Sequence, residues 1–225
     1  MKRSQINNII REGMAFCERM NFKLPPWAYW KADEWQGRGP EWDEIRDNML
    51  GWDCTDFGSN DYERVGLLLF TIRNGNLKLT EKYEKPYCEK LMIIGEDQYC
   101  PCHYHFNKME DIINRGGGNL LLKLWWKDDQ EGLSDKPVQV SCDGHRVEVE
   151  AGSVVRLTPG ESITLPSYLY HTFWAEQGQG QVLSGEVSKV NDDVTDNRFL
   201  EELPRFSAIE EDEAAEHLLC NEYPR

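Results

Sequence analysis

The sequence lacks long hydrophobic runs and has little positive charge. No stretch approaches the roughly 18 apolar residues of a membrane-spanning helix. The N-terminus has an early basic pair but no continuous apolar segment, so a secretory signal is not expected. Lys and Arg number 25 against 40 Asp and Glu, and the formal net charge of −15 would repel a nucleic-acid backbone. These absences predict a soluble, cytoplasmic protein that binds neither membrane nor nucleic acid.

Cysteines at disulfide-framework spacing are also missing. There are seven, an odd number at irregular spacing in a chain of 225 residues, which favours reduced thiols. Cys100 and Cys102 precede His103 and could suggest a zinc site, but a second ligand pair at zinc-finger spacing is absent. In a regular strand these two cysteines would face away from His103, so we expect packing residues.

Helical periodicity is confined to the N-terminal part of the chain. Apolar residues recur at three- and four-residue intervals over 4–21, which predicts an amphipathic helix with Ser4 as its cap. A weaker helix is predicted at 41–49, after a segment that two prolines keep extended. Together these elements predict a helical and irregular extension over residues 1–60.

The pattern then changes to short β-prone runs separated by turn residues. Asn74-Gly75 and Asp143-Gly144 are strong hairpin signals because these residues tolerate positive φ. Many short strands without intervening helices predict an antiparallel barrel or sandwich over 61–190. We expect one domain, with the acidic segment 191–225 packed back over the barrel or its partner. Apart from the runs flanking Asn74-Gly75, strands are predicted at 88–95, 98–105, 110–114, 119–127, 137–142, 145–150, 153–158, 162–165, 170–175 and 181–190.

Three histidines and one glutamate form the candidate metal centre. His103 and His105 lie two residues apart, hence on one face of a strand. Glu110 follows after a short turn, and His171 follows a Pro-containing turn much later. Such a set leaves coordination positions open for substrate, as catalytic sites do. Surface strand residues are the alternative interpretation for the histidine pair. His145 and His217 are expected to be solvated.

Two spaced motifs carry a resemblance to the cupins. The first is Gly95-(x7)-His103-x-His105-(x4)-Glu110-(x5)-Gly116, and the second is Gly160-(x5)-Pro166-(x4)-His171. The first loop is two residues longer than the common form, Tyr168 replaces a glycine, and Ala175 stands where asparagine is common. These departures affect loop conformation rather than ligands. The resemblance implies an all-β cupin (double-stranded β-helix) barrel with a helical N-terminal extension.

Longer strings narrow the resemblance to one family over almost the whole chain. PPWAYW, LGWDCTDFG, KMEDIINRGGGNL, YHTFWAE and GEVSKVNDDVTDN closely resemble the D-lyxose isomerase family of bacterial cupins. The resemblance implies a metal-dependent isomerase, most simply with Mn²⁺, that interconverts free aldoses and ketoses through a metal-bound cis-enediol. The implied sugar pairs are D-lyxose with D-xylulose and D-mannose with D-fructose, and the implied assembly is a homodimer. The implied metal ligands are His103, His105, Glu110 and His171.

The resemblance also implies roles for polar residues outside the ligand set. Catalysis is assigned to Glu186, with Lys108 and Glu110 beside it, and sugar binding to Lys108, Asp193 and Arg205; Asp192 matches a second family acid. The alternatives are an exposed loop lysine, a surface carboxylate on an edge strand and a surface salt bridge.

Strand geometry makes the proton-transfer assignment chemically reasonable. Aldose–ketose exchange moves a proton between neighbouring carbons, which a carboxylate can shuttle. On strand 181–190, Glu186 shares a face with Ser184 and Ser188, which suits a sugar-sized pocket. Trp174 is a candidate for the pocket wall, with a core role as the alternative, and Trp126 is predicted in the core. A metal-dependent cupin dioxygenase and a non-catalytic sugar-binding cupin remain alternative functions.

Overall fold

A computed structural model describes residues 1–224 of the chain. The helices come first: α1 spans Arg3–Arg19, and a short α2 spans Asp43–Asp47. Single 3₁₀ turns lie at Pro26–Tyr29, Ala32–Trp35 and Pro40–Trp42. The strands are β1 Gly51–Thr55, β2 Leu67–Arg73, β3 Tyr87–Ile94, β4 Cys100–His105, β5 Glu110–Gly117, β6 Leu120–Trp126, β7 Val138–Cys142, β8 His145–Val149, β9 Val154–Leu157, β10 Ser162–Leu165, β11 Leu169–Ala175, β12 Val182–Lys189 and β13 Asn197–Phe199.

The strands form two antiparallel sheets. An eight-stranded sheet has the order β1-β2-β3-β12-β5-β10-β7-β8, and a five-stranded sheet has the order β13-β4-β11-β6-β9. Alternate residues of each sheet point into a shared apolar core, as Leu120, Leu122 and Leu124 of β6 do with no exposed surface. The prediction of an all-β, cupin-type barrel with a helical N-terminal extension is confirmed.

Helix α1 covers the outer face of the larger sheet. Ile6, Ile10 and Cys17 pack with Leu68 and Phe70, while the neighbouring β2 residues face the barrel interior. Because β2 is buried on both faces, its sequence reads as a continuous apolar run instead of an alternating one. Burying each large apolar side chain stabilises the fold by about 1.5–3 kcal/mol. No helix within residues 1–224 is both long and apolar enough to cross a membrane.

The N-terminal extension differs from the prediction in its details. Helix α1 begins at Arg3, and Ser4 does not cap it but donates its hydroxyl to Asp212 at 2.7 Å. The second helix is shorter than 41–49, since a 3₁₀ turn precedes α2. The extension also contains β1, which was not predicted. It is fully buried and pairs with β2 along its whole length, so its pattern carries no amphipathic signal.

One of the two predicted hairpins is wrong. Asp143 and Gly144, with φ of 48° and 79°, form the expected turn between β7 and β8. Asn74-Gly75 does not form a tight hairpin, because β2 ends at Arg73 and β3 begins only at Tyr87. Gly75 is instead required by packing, since a Cβ atom there would lie 1.9 Å from the Lys85 carbonyl oxygen.

The C-terminal segment packs back over the barrel, as predicted. β13, which was not predicted, pairs with β4 in the register Asn197↔His105 and Phe199↔His103. Further on, the Cys220 amide donates to the Trp52 carbonyl at 2.7 Å. The C-terminal segment therefore completes the smaller sheet beside the histidine strand and also flanks the larger sheet at β1.

Candidate active site

Two strands of the smaller sheet bring the three predicted histidines together inside the barrel. His103 and His105 lie on β4, and His171 of β11 is the register partner of His103. One ligand atom from each imidazole lies within 4.8 Å of the others, and all three side chains are buried. The interpretation of His103 and His105 as surface strand residues is therefore wrong.

Backbone contacts and burial put the imidazoles in the form that binds metals. The Nδ1 atoms of His103 and His171 lie 2.7 Å from the Pro101 carbonyl and 3.0 Å from the Leu169 carbonyl. A neutral ring that donates from Nδ1 leaves the Nε2 lone pair free for a cation. Burial, reinforced by the neighbouring imidazoles, holds the pKa of His103 well below its ordinary value, and burial lowers the pKa of His105.

Glu110 presents one carboxylate oxygen to these rings. Its Oε1 lies 3.4 Å from His105 Nε2 and 3.2 Å from His171 Nε2, while Oε2 accepts from Lys108 Nζ at 2.7 Å. Burial alone would raise the pKa of Glu110, but the Lys108 ammonium and His105 hold it well below its usual range. The carboxylate is therefore ionised. Three imidazole nitrogens and one carboxylate oxygen form a donor set that fits a divalent cation.

A row of alternating charges continues from Glu110 along the cavity. Successive members lie 2.7, 2.9, 3.7, 3.7, 3.4 and 2.6 Å apart. In order the members are Glu110, Lys108, Glu186, Lys90, Asp193, Arg205 and Asp53, and we call them the charged row. Buried charges persist when they are paired in this way, and loss of one member leaves its neighbours uncompensated.

The pKa shifts within the charged row have a common cause. Burial would lower the pKa of Lys108, but Glu110, Glu186 and Asp193 together raise it above its ordinary value. Burial would likewise raise the pKa of Asp193, which Arg205 and the lysines hold well below its usual range. The members therefore carry opposite charges that hold one another in place.

The positions of Lys108, Glu186 and Arg205 in the structure exclude the alternatives of an exposed loop lysine, a surface carboxylate on an edge strand and a surface salt bridge. Glu186 is 4% exposed and lies on β12, which is not an edge strand but runs between β3 and β5. Lys108 is buried, and the Arg205–Asp193 contact lies inside the cavity. Ser188 shares the face of Glu186 as predicted and donates to its Oε1 at 3.0 Å. Ser184, the other predicted serine, donates to the Ile113 carbonyl instead.

Trp174 and Asp192 lie away from the cavity. In β11 the residues His171, Phe173 and Ala175 face inward, so Trp174 points outward into a separate groove beside Trp125. The expectation that Trp174 forms the pocket wall is wrong. The Asp192 carboxylate accepts hydrogen bonds from the backbone amides of Val194 and Thr195 in the turn that follows it. Trp126 is half-buried and packs against the core as predicted.

The orientation predicted for Cys100 is also wrong. The seven cysteines are free, as expected, but Cys100 lines the same cavity as His103. The pairing of β4 with β11 shifts between His171 and Phe173, so the intervening β4 residues do not alternate regularly. Cys100 therefore faces inward, whereas Cys102 faces the outer groove as expected.

The expectation that His217 is solvated is wrong. His217 is buried at 3% exposure, with Nδ1 lying 2.9 Å from the Trp30 carbonyl, whereas His145 is exposed as expected.

Sequence reasoning missed one charged residue that lines the cavity and two residues that hold its side chains in place. Lys90 lies on β3 between the inward-facing Cys88 and Met92, and a lysine in that phase of a mostly apolar strand is the signal that could have found it. Asn191 follows β12 and has no such pattern. Its amide contacts both site lysines and Asp193. Asp53 lies on the unpredicted β1 and pairs with Arg205.

Comparison with known proteins identifies the family of the chain. A sequence model of the D-lyxose isomerase family matches residues 1–223. The chain belongs to the D-lyxose isomerase family. The chain is similar to the D-lyxose/D-mannose isomerase of Escherichia coli O157:H7, with 50% identity over 224 residues that cover 99% of this chain and 98% of that protein. The D-lyxose/D-mannose isomerase of Serratia proteamaculans is 50% identical over 227 residues, covering 100% of this chain and 99% of the relative.

Solved structures of more distant sugar isomerases share the fold. L-Ribose isomerase of Cellulomonas parahominis, solved with L-ribose, superposes with a TM-score of 0.61 at 16% identity, covering 93% of this chain and 98% of that one. L-Ribose isomerase of Geodermatophilus obscurus gives a TM-score of 0.62 at 16% identity with the same coverage. At this identity the similarity supports the barrel architecture alone, whereas family membership follows from the sequence matches.

Proposed function

We propose that the protein is a metal-dependent D-lyxose ketol-isomerase. It would interconvert D-lyxose with D-xylulose, and D-mannose with D-fructose, through a cis-enediol. The observation that carries the proposal is the convergence of three buried imidazoles, Glu110 and the buried Glu186 in one cavity. The names of the relatives from E. coli O157:H7 and S. proteamaculans support the same sugars.

His103, His105, His171 and Glu110 would hold the metal. Besides the donor set itself, His105 Nδ1 supports the fit, because this buried atom has no hydrogen-bond partner within residues 1–224. A divalent ion there would supply Lewis-acid polarisation of the sugar carbonyl and fix the relative orientation of two sugar oxygens. Manganese, implied by the family resemblance, is the proposed ion. Since several divalent metals accept such a donor set, metal readdition is the appropriate test.

Glu186 is the proposed base and acid for the carbon-bound proton. Its Oε1 is held by Lys108 Nζ at 2.9 Å and by Ser188 Oγ at 3.0 Å. Its Oε2 makes no hydrogen bond within residues 1–224, and the Lys90 ammonium lies 3.7 Å from it. One oxygen is thus anchored while the other is available to take a proton from one carbon and return it to the next.

Lys108 and Arg205 are the proposed partners of the sugar oxygens. Lys108 is a buried cation between Glu110 and Glu186, so it would stabilise negative charge that develops on the sugar oxygens. Arg205 Nη1 is a buried donor without a partner within residues 1–224, and the residue lines the cavity. Such a donor would bind a sugar hydroxyl. Asp193, held by Arg205 and Asn191, would accept from another hydroxyl.

A ketose assay tests the proposal. D-Lyxose, D-mannose, L-ribose and D-glucose are offered to the protein after chelation and after readdition of single metals. We expect ketose from D-lyxose and D-mannose only in refilled samples, most with Mn²⁺. Activity that persists after complete metal removal would contradict the proposal. Oxygen uptake would instead indicate a dioxygenase, and pentose binding without ketose a non-catalytic protein. Light scattering of the same samples tests the proposed homodimer.

A further inference from the structure

Lys90 is a buried lysine of the cavity wall to which the proposed mechanism gives no role. It lies on β3 directly opposite Glu186 of β12, and both side chains point into the barrel. Lys90 is 3% exposed. Because lysine is almost never fully buried unless it is paired, its position calls for a binding partner.

Hydrogen bonds within the protein satisfy the Lys90 ammonium only in part. Its Nζ donates to Asn191 Oδ1 at 2.6 Å. The nearest carboxylate oxygens, Glu186 Oε2 and Asp193 Oδ1, each lie 3.7 Å away, which is too long for a hydrogen bond. An ammonium has three N–H donors, so two of them have no acceptor within residues 1–224. A bridging oxygen atom would fill the gap between these donors and the carboxylates.

The surroundings of Lys90 favour a neutral polyhydroxy ligand. Asp193 lies between Lys90 and Arg205, whose Nη1 is a second buried donor without a partner within residues 1–224. A hydroxyl can accept from such a cation and donate to the adjacent carboxylate at the same time. A fully ionised phosphate has no O–H to donate, and the carboxylates of Glu186 and Asp193 would repel its negative charge.

We propose that Lys90, held in place by Asn191, binds a hydroxyl of the open-chain sugar and positions it beside the carboxylates of Glu186 and Asp193. This assignment rests on the proposed function, because it takes a free sugar as the ligand. It makes Lys90 a substrate-binding residue in addition to Lys108 and Arg205. It also accounts for Asn191, whose amide orients both lysines and Asp193.

Binding of an unreactive sugar alcohol tests the proposal without relying on turnover. D-Arabinitol, the alcohol formed by reducing D-lyxose, keeps the hydroxyls but cannot isomerise. Titration calorimetry with the manganese-loaded protein should show that Lys90→Met weakens its binding by about 10–100-fold, the factor expected for a hydrogen bond from a charged donor. Lys189→Met, which removes an exposed lysine from β12, is the matched control and should leave Kd unchanged.

A deoxy series identifies the hydroxyl and separates binding from a structural role. Alcohols lacking one hydroxyl at a time are titrated against the unmodified protein and Lys90→Met. One analogue should bind the unmodified protein at least about 10-fold more weakly than D-arabinitol does. Lys90→Met should bind that analogue no more weakly than the unmodified protein does, because the same contact is already missing. A purely structural lysine would weaken every analogue equally, and that result overturns the proposal.

Lys90→Arg keeps the assignment testable should Lys90→Met fail to fold. It retains a cation between the two carboxylates but changes the donor geometry, so a several-fold weaker Kd is expected. An unchanged Kd in every folded Lys90 variant also overturns the proposal. The ketose assay is independent: absence of ketose with intact arabinitol binding would remove the isomerase function while leaving the Lys90 site.

Discussion

The two ends of the cavity are built in different ways. At the imidazole end, His103 and His171 are each fixed by the carbonyl of a residue two positions earlier in its own strand. At the other end, the charged row is fixed by contacts between segments far apart in sequence, as the Lys90–Asn191 and Arg205–Asp53 pairs show. One end therefore depends on local strand geometry, and the other depends on the whole chain having folded around it.

This difference predicts that the two ends can be damaged separately. A change at the imidazole end should remove the metal and leave the charged row in place. A change in the charged row beyond Glu110, which is itself a proposed metal ligand, should spare metal binding but impair sugar binding or proton transfer. Substitutions at His171, Glu186, Asn74 and Trp174 test that separation.

Replacing His171 by Gln should have the largest effect. The variant removes one of three clustered imidazoles, so metal affinity should fall by more than the 10–100-fold typical of losing an outer partner of a ligand. Metal content after gel filtration, read by elemental analysis, checks this. His145→Gln, an exposed histidine on β8, is the control and should retain stoichiometric metal. Full metal content in His171→Gln would show that the imidazoles do not form the centre.

Replacing Glu186 by Gln should separate the two ends most cleanly. The amide keeps the shape of the side chain but cannot accept the carbon-bound proton, so kcat should fall by about 10²–10⁴-fold. Metal content should not change. Exchange of the C2 hydrogen with solvent, followed by NMR, measures the step directly. Glu148→Gln, at an exposed position of β8, is the control. Unchanged exchange would remove Glu186 from the proton-transfer role.

The imidazole end was predictable because its information is local. A two-residue spacing places His103 and His105 on one face of any strand, whatever the rest of the fold does. The same parity argument failed for Cys100, because the β4–β11 register shift lies between it and His103. Irregular pairing of this kind depends on the partner strand and leaves no clear trace in the sequence of β4.

Beyond Glu110, members of the charged row were predictable only where the family resemblance named a residue. Glu186, Lys108, Asp193 and Arg205 entered through matched strings, and the structure brings all four into one cavity. Lys90 and Asn191 meet only because β3 pairs with β12 and the chain then turns back toward Lys90. Strand prediction was limited in a similar way, because it depends on a pattern within the strand itself. Most barrel strands were predicted from short β-prone runs, but the fully buried β1 and the three-residue β13 were not.

Replacing Asn74 by Ala should give a moderate effect confined to the charged row. The Asn74 amide contacts Asn191 at two points, accepting from its backbone N–H at 3.0 Å and donating to its carbonyl at 2.9 Å. Loss of this contact should lower the free energy of unfolding by about 1–3 kcal/mol and raise KM, because Asn191 orients Lys90 and Asp193.

Urea unfolding and steady-state kinetics measure both effects of Asn74→Ala. Asn8→Ala, on the exposed face of α1, is the control and should change stability by less than about 0.5 kcal/mol. A loss of bound metal in Asn74→Ala would argue against the separation of the two ends.

Replacing Trp174 by Phe should have the smallest effect, because its side chain lies outside both ends of the cavity. The comparison is with Phe199→Leu on β13, whose ring lies 5.4 Å from that of His103 and lines the cavity. Trp174→Phe should change KM for D-lyxose by less than about 2-fold, as expected for a site without substrate contact. Phe199→Leu should change kcat/KM more, since it alters packing against a metal-binding imidazole. A larger effect of Trp174→Phe would mean that the outer groove is connected to the sugar site. The sugar site would then not be confined to the inner face of β11.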